Sequence, residues 1–282
     1  MQNKGTQNRL VDCVGQTFVI AYKEPTEQLT ATLIGAGFDC SVLRQVHQSG
    51  YERYSASFLC LLNHRSAWEL ALRSQKPTLI VEADFVPVKN LATLPPPFDP
   101  ADDDLGIAWL YTCAAQVYSV LDLPSGQYAQ GYSTSMVAYV ITAKSARSLI
   151  DLAAQVEKDP GPRAYSPWDS GIEYYLRDRA LHNYVPFRNY GEHGGVPNPE
   201  HGKHKLSKAH RADVLYGSLA FAPMYATATG WVNYGQWLKG RAYGRIKGLA
   251  RLFLLKYLRA EVVKKSSQGK RLIVWALARQ FG

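Results

Sequence analysis

The stretch "TLIVEADFVPVKN", Thr78 to Asn90, decides how this chain is read. Thr78 to Val81 is an apolar run of the kind that fills a buried strand; it ends in two carboxylates, Glu82 and Asp84, before the chain turns at Pro87. Side chains alternate along an extended chain, so Glu82 and Asp84 point the same way and Ala83 the other. Two anions that close repel unless water, a cation or a donor-rich partner lies between them. The local pattern fits a solvated loop after a strand, and it fits equally a site in which something sits between the two acids.

Working outward, "TFVIAY" (Thr17 to Tyr22) is a β-rich run. The following "EPTEQLTATLIGAG" reads as a helix, with Pro25 suited to its first turn and Gly35 and Gly37 able to stop it. "DCSVLRQV" supplies a second strand. Asn63 is then expected to cap a helix from His64 to about Ser74, with Trp68 and Leu70 among its apolar positions. Strand, helix, strand, helix, strand at such short spacing predicts a parallel α/β sheet, in which ligands bind beyond the carboxyl ends of the strands. Glu82 and Asp84 lie at such an end. Further on come a Pro- and acid-rich linker, "LATLPPPFDPADDD", and strands within "LGIAWLYTC" and "MVAYVIT". A helix over "AKSARSLIDLAAQVEK" follows, then a turn opening a helix in "SPWDSGIEYYLRDRAL" and a Gly/Pro/His-rich loop, "EHGGVPNPEHGKH".

Composition narrows the class. A hydrophobic content of 46% over 282 residues is ample for a large core. Cys13, Cys40, Cys60 and Cys113 are scattered with no C-x-x-C pair, which argues against a zinc knuckle or disulfide framework and suits a reducing compartment. The opening "MQNKGTQNRLVDCVGQ" lacks the apolar centre of a signal peptide, so a cytoplasmic protein is expected. The net charge of +9 is unevenly spread: from Lys239 onward six Lys and six Arg face one acid, Glu261, giving +11 and leaving −2 for the rest. The expected division is therefore a body, residues 1–238, and a basic helical tail, residues 239–282, with no nucleic-acid partner implied for the body. In that tail Ile246, Leu249, Ala250, Phe253, Leu254 and Tyr257 fall on one helical stripe, and a second basic apolar segment, "KRLIVWALARQF", follows the hinge "SSQG". Such helices suit an anionic membrane surface, peripherally on the inner face; packing on the body is the other reading.

Five pieces occur in order: "CLLNHRSAWELAL", a strand ending "VEAD", "GIAWLY", "GYSTSMVAYVITAKSARSLI" and "SPWDSGIEYYL". Together they resemble glycosyltransferase family 25, the lipopolysaccharide and collagen galactosyltransferase group. The matching positions are Cys60, His64, Trp68, Glu82, Asp84, Tyr139, Ile141, Ala146, Pro167 and Asp169, within a span from about Thr17 to Tyr184. Two departures stand out: Glu82-Ala83-Asp84 replaces the family's Glu-Asp-Asp, and "AYKEPT" replaces an Asn-Leu after the first strand.

The resemblance implies a GT-A-like, Rossmann-type mixed sheet flanked by helices. It implies transfer of a hexose from a nucleotide sugar, a UDP-sugar first of all, to a glycan or glycolipid acceptor in cell-surface polysaccharide assembly, with inversion. The implied cofactor is Mn2+ or Mg2+, held by Glu82 and Asp84 where the donor diphosphate must leave. Mn2+ also tolerates imidazole, which brings in the loop carrying His193, His201 and His204, with His201 and His204 as the named candidates. Asp169, with Asp84 the catalytic pair, is implied as general base or acceptor-orienting residue; by its position alone it could be a first-turn helix acid. Ala21, Tyr22 and His64 are implied on the donor side. His64 and Trp68, four residues apart, could instead be a core pair. Tyr132, Ser133 and Thr134 could line the acceptor side or form a polar turn. Outside this chemistry, the sequence fits a non-catalytic scaffold at a membrane surface or, less well, a metal phosphoesterase.

Overall fold

A computed structural model describes residues 8–121, 128–196, 209–227 and 230–281. The chain opens with α1 (Leu10–Cys13), β1 (Gln16–Ala21), α2 (Glu27–Gly35), β2 (Cys40–Arg44), α3 (Ala56–Ala71), β3 (Thr78–Glu82) and β4 (Phe85–Pro87). It continues through β5 (Leu105–Trp109), β6 (Gln116–Val120), β7 (Tyr128–Tyr132), β8 (Ala138–Ile141), α4 (Ala143–Lys158), α5 (Ile172–Arg177), β9 (His182–Pro186) and β10 (Gly191–His193). Helices α6 (Met224–Thr227), α7 (Tyr234–Phe253), α8 (Ala260–Lys265) and α9 (Gly269–Phe281) follow.

Eight strands form one mixed sheet in the order β2-β1-β3-β8-β5-β9-β7-β6, and β10 pairs with β4 in a small antiparallel ribbon. The first three strands are parallel, as the sequence pattern requires. Beyond β3 the sheet becomes mixed, because β8 inserts antiparallel to both β3 and β5. Alternation sorts the side chains into two layers. Phe18, Ile20, Ile80, Trp109 and Tyr139 face α3 and α4, whereas Val19, Leu79, Val81 and Val140 face the layer that holds α2. Among the described residues no helix is long and apolar enough to cross a membrane.

Two expectations need correction. Helix α3 is capped by Ser55, whose side chain accepts from the Phe58 N–H, and Asn63 lies inside the helix, donating to the Ala21 carbonyl at 3.3 Å. Burial of Phe58 and Leu61, one turn apart, pulls the earlier segment into the helix. The boundary expected after residue 238 falls within α7, and the segment beyond it is built into the core rather than appended: Leu252, Tyr257, Leu272 and Trp275 pack in the α3–α4 layer. The expected apolar stripe is accordingly divided. Tyr257 is buried, while Ile246, Phe253 and Leu254 remain exposed.

Candidate active site

The carboxyl end of β3 is held on both sides. Glu82 donates its N–H to the Val137 carbonyl at 2.8 Å, and Ala83 donates to Ile20 at 3.0 Å, so the two acids emerge between β1 and the entry to β8. Behind Glu82 runs a relay of donors. The Trp68 indole N–H donates to the Tyr139 oxygen at 2.8 Å. The Tyr139 hydroxyl then donates to His64 Nδ1, also at 2.8 Å, which leaves the Nε2 proton to bond Glu82 Oε1 at 3.1 Å. One tautomer satisfies every member, and the effect is to fix one carboxylate oxygen of Glu82. His64 is fully buried, so it stands behind Glu82 rather than on an open donor-binding surface.

Trp168 docks against the same cluster, its ring 5.3 Å from His64, and donates its indole N–H to the Ser57 carbonyl at 3.0 Å. That anchor places Asp169 in a tight turn, where its Oδ1 accepts the Ser170 N–H at 2.9 Å. Cys60 joins the two acidic groups electrostatically. It lies on α3 and is exposed to solvent. Crowding by protein, followed by the fields of Glu82, Asp169 and Asp84, holds its thiol well above the usual range. Cys60 therefore favours the neutral thiol.

The residue the sequence left undecided is His193. The β10–β4 ribbon sets it opposite Phe85, which brings its Nε2 to 2.9 Å from Asp84 Oδ2. Burial disfavours the imidazolium, but the attraction and hydrogen bond of Asp84, with Glu82 adding, outweigh it and raise the His193 pKa. Gly194 donates to the Asp84 carbonyl at 2.7 Å, and a Cβ at Gly195 would collide with Asp84 Oδ2. His201 and His204, expected as ligands, lie outside the described residues.

Ligand atoms of Glu82, Asp84 and His193 lie within 4.8 Å of one another. Asp84 Oδ1 is buried and finds no hydrogen-bond partner among the described residues. Two carboxylates and an imidazole around an orphaned oxygen fit a hard divalent cation, with Mn2+ the ion that best accepts the nitrogen. Cys60, His64 and Glu82 form a second close group, but a neutral thiol and an imidazole already engaged on both nitrogens make it a poor metal site. Gly195→Ala is expected to weaken Mn2+ binding about tenfold in calorimetry with little change in melting temperature, since it disturbs the Asp84–His193 pair and not the core. A cation held there would bind more tightly as pH rises through the raised His193 pKa, because it would have to displace that proton, which calorimetry across a pH series would read.

Ala21, expected to contact a donor, is buried, and its carbonyl accepts from Asn63 and from the Gln45 N–H. Tyr22 is partly exposed and begins a run of rings: His47 at 6.2 Å, then Tyr51 at 5.6 Å, then Tyr54 at 5.3 Å. The aromatic spacing in "HQSGYERYS" is the signal that could have revealed this wall. Ser133 and Thr134 form a polar turn that pins Cys113, the former accepting its N–H and the latter donating to its carbonyl. Burial pushes the Cys113 thiol up, against the fields of Lys247 and Arg251, and its Sγ lies 2.7 Å from His210 Nδ1. Cys113, Arg211, Lys247 and Arg251 line a basic pocket, and Arg211 also donates to the His193 carbonyl at 3.0 Å, so pocket and carboxylate cleft adjoin. A groove of about 590 Å³ lies elsewhere, between α7 and residues 213–219, and none of Glu82, Asp84 or His193 lines it.

No protein-family model matches the chain, and no curated protein matches it significantly.

Proposed function

We propose that the protein is a metal-dependent glycosyltransferase that moves a hexose from a nucleotide sugar to a glycan or glycolipid hydroxyl. The observation that carries this reading is the convergence of Glu82, Asp84 and His193 at the carboxyl edge of the sheet. A divalent cation held there would neutralise charge on a departing diphosphate. The chain's own groups cover the remaining tasks. His64 fixes Glu82 in position, the rings beside Tyr22 offer faces for a base to stack on, and Arg211, Lys247 and Arg251 supply positive charge next to the cleft. Asp169 is assigned as the base that takes the proton from the acceptor hydroxyl. With Asp169 as the single base, the acceptor hydroxyl would displace the diphosphate directly, with inversion.

The test is a panel of nucleotide sugars with Mn2+, read as UDP release and sugar transfer. Asp169→Asn should cut turnover by about 10²-fold while UDP affinity persists. Turnover near that of the parent protein would return Asp169 to the role of a turn residue, and release of inorganic phosphate from simple esters would replace transfer with phosphoester hydrolysis.

A further inference from the structure

The outer surface of the C-terminal helices serves none of the chemistry above. Among the described residues, the exposed large apolar side chains lie between Trp231 and Phe281, apart from Tyr22, Ile34, Val46, Tyr174 and Val196. The packing of α7 explains this concentration. The helix buries Gly244, Gly248 and Leu252, since a glycine face lets its backbone close on Ala212 and Asp213, where a Cβ would collide. Leu238, Ile246 and Phe253 recur at helical spacing on the opposite side and are 70, 68 and 69% exposed. Trp231, 84% exposed, precedes the helix, and Leu254 extends the row. The same segment carries the exposed cations Lys239, Lys256, Arg259, Lys264, Lys265 and Lys270. Glu261 is the only acid from Trp231 to Phe281.

We propose that this face docks on an anionic lipid bilayer, with α7 lying in the headgroup plane and the row from Trp231 to Leu254 at the acyl boundary. An apolar row flanked by Lys and Arg, with an aromatic residue at its edge, matches that surface in both charge and hydropathy. A second copy of the chain would set cation against cation. A nucleic acid would leave the apolar row in water. The inference stands apart from the transferase reading. Where both hold, the acceptor is membrane-borne, because the other side of α7 carries Lys247 and Arg251 into the basic pocket and so sets the cleft beside the lipid.

The test is co-sedimentation of the full chain with vesicles of phosphatidylcholine, with and without phosphatidylglycerol, at low and high salt. Binding is expected only with the anionic lipid and should fall as salt rises. Ile246→Ser with Phe253→Ser should weaken it at least about tenfold, and Lys264→Gln with Lys265→Gln about twentyfold, while melting temperatures hold because all four side chains are exposed or at the rim. Absence of binding at low salt, or equal binding by the serine variant, would overturn the proposal. So would a concentration-dependent dimer that the same serines abolish in sedimentation, which would assign the face to a second copy.

Discussion

Asp84→Asn is expected to weaken Mn2+-dependent UDP binding by at least about 100-fold, because groups that merely support a metal ligand already cost 10- to 100-fold when removed. The substitution keeps the size of the side chain and its reach to His193, but an amide has no charge to give a cation. Stability should change little: Asp84 is partly exposed at a strand end and belongs to neither apolar layer. His193, relieved of the carboxylate that raises it, should titrate at lower pH, a shift visible in the imidazole resonances by NMR. Calorimetry of UDP with and without Mn2+ decides the matter. Unchanged affinity would mean that Asp84 and His193 are an ordinary ion pair.

The parts of this site that the sequence made legible are those carried by local pattern. The apolar run into Glu82 and Asp84 reads as β3, and α4 falls on the expected segment because Thr142 and Ser145 cap it reciprocally just before an apolar periodicity. The pairing of Asp84 with His193 was beyond such reading, because it depends on β4 and β10, three-residue strands more than a hundred residues apart. Strands β6 and β9 escaped for a related reason: each is five residues long with polar members, and what makes them strands is pairing to β7 and β5 rather than any strong run of their own. The C-terminal segment misled in a more physical way. Its apolar stripe suggested a tail standing apart from the body, but the glycines at 244 and 248 let α7 close on Ala212 and Asp213 through another face. His64 and Trp68 were visible as neighbours on one helix face; Tyr139, which joins them to each other, comes from a strand on the far side of the sequence.

The same packing predicts that the segment after residue 238 cannot be removed, and a single substitution isolates the reason. Arg279, on α9, is 1% exposed and forms an ion pair with Asp213. Asp213 accepts in addition from Gln280 at 2.8 Å, Asn189 at 3.0 Å and its neighbour's backbone, Val214, at 2.8 Å. Burial alone would raise the Asp213 carboxyl, but the adjacent guanidinium and these donors outweigh it and hold it below the usual carboxylate range. Asp213→Ala removes the anion and leaves a guanidinium enclosed among Tyr257 and the core, so a loss of about 3–5 kcal/mol in urea unfolding is expected. Replacing Arg279 by Met in that background should recover part of the loss, because the stranded charge, not the missing bond, is the main cost. The sign of the pH dependence follows from the depressed carboxyl: the pair's contribution is complete above the ordinary Asp pKa and fades as pH falls through the lower folded value, so the parent protein should lose stability on that acid limb more steeply than the double variant. A loss below about 1 kcal/mol for Asp213→Ala would place the pair among surface contacts and leave α9 as a detachable element.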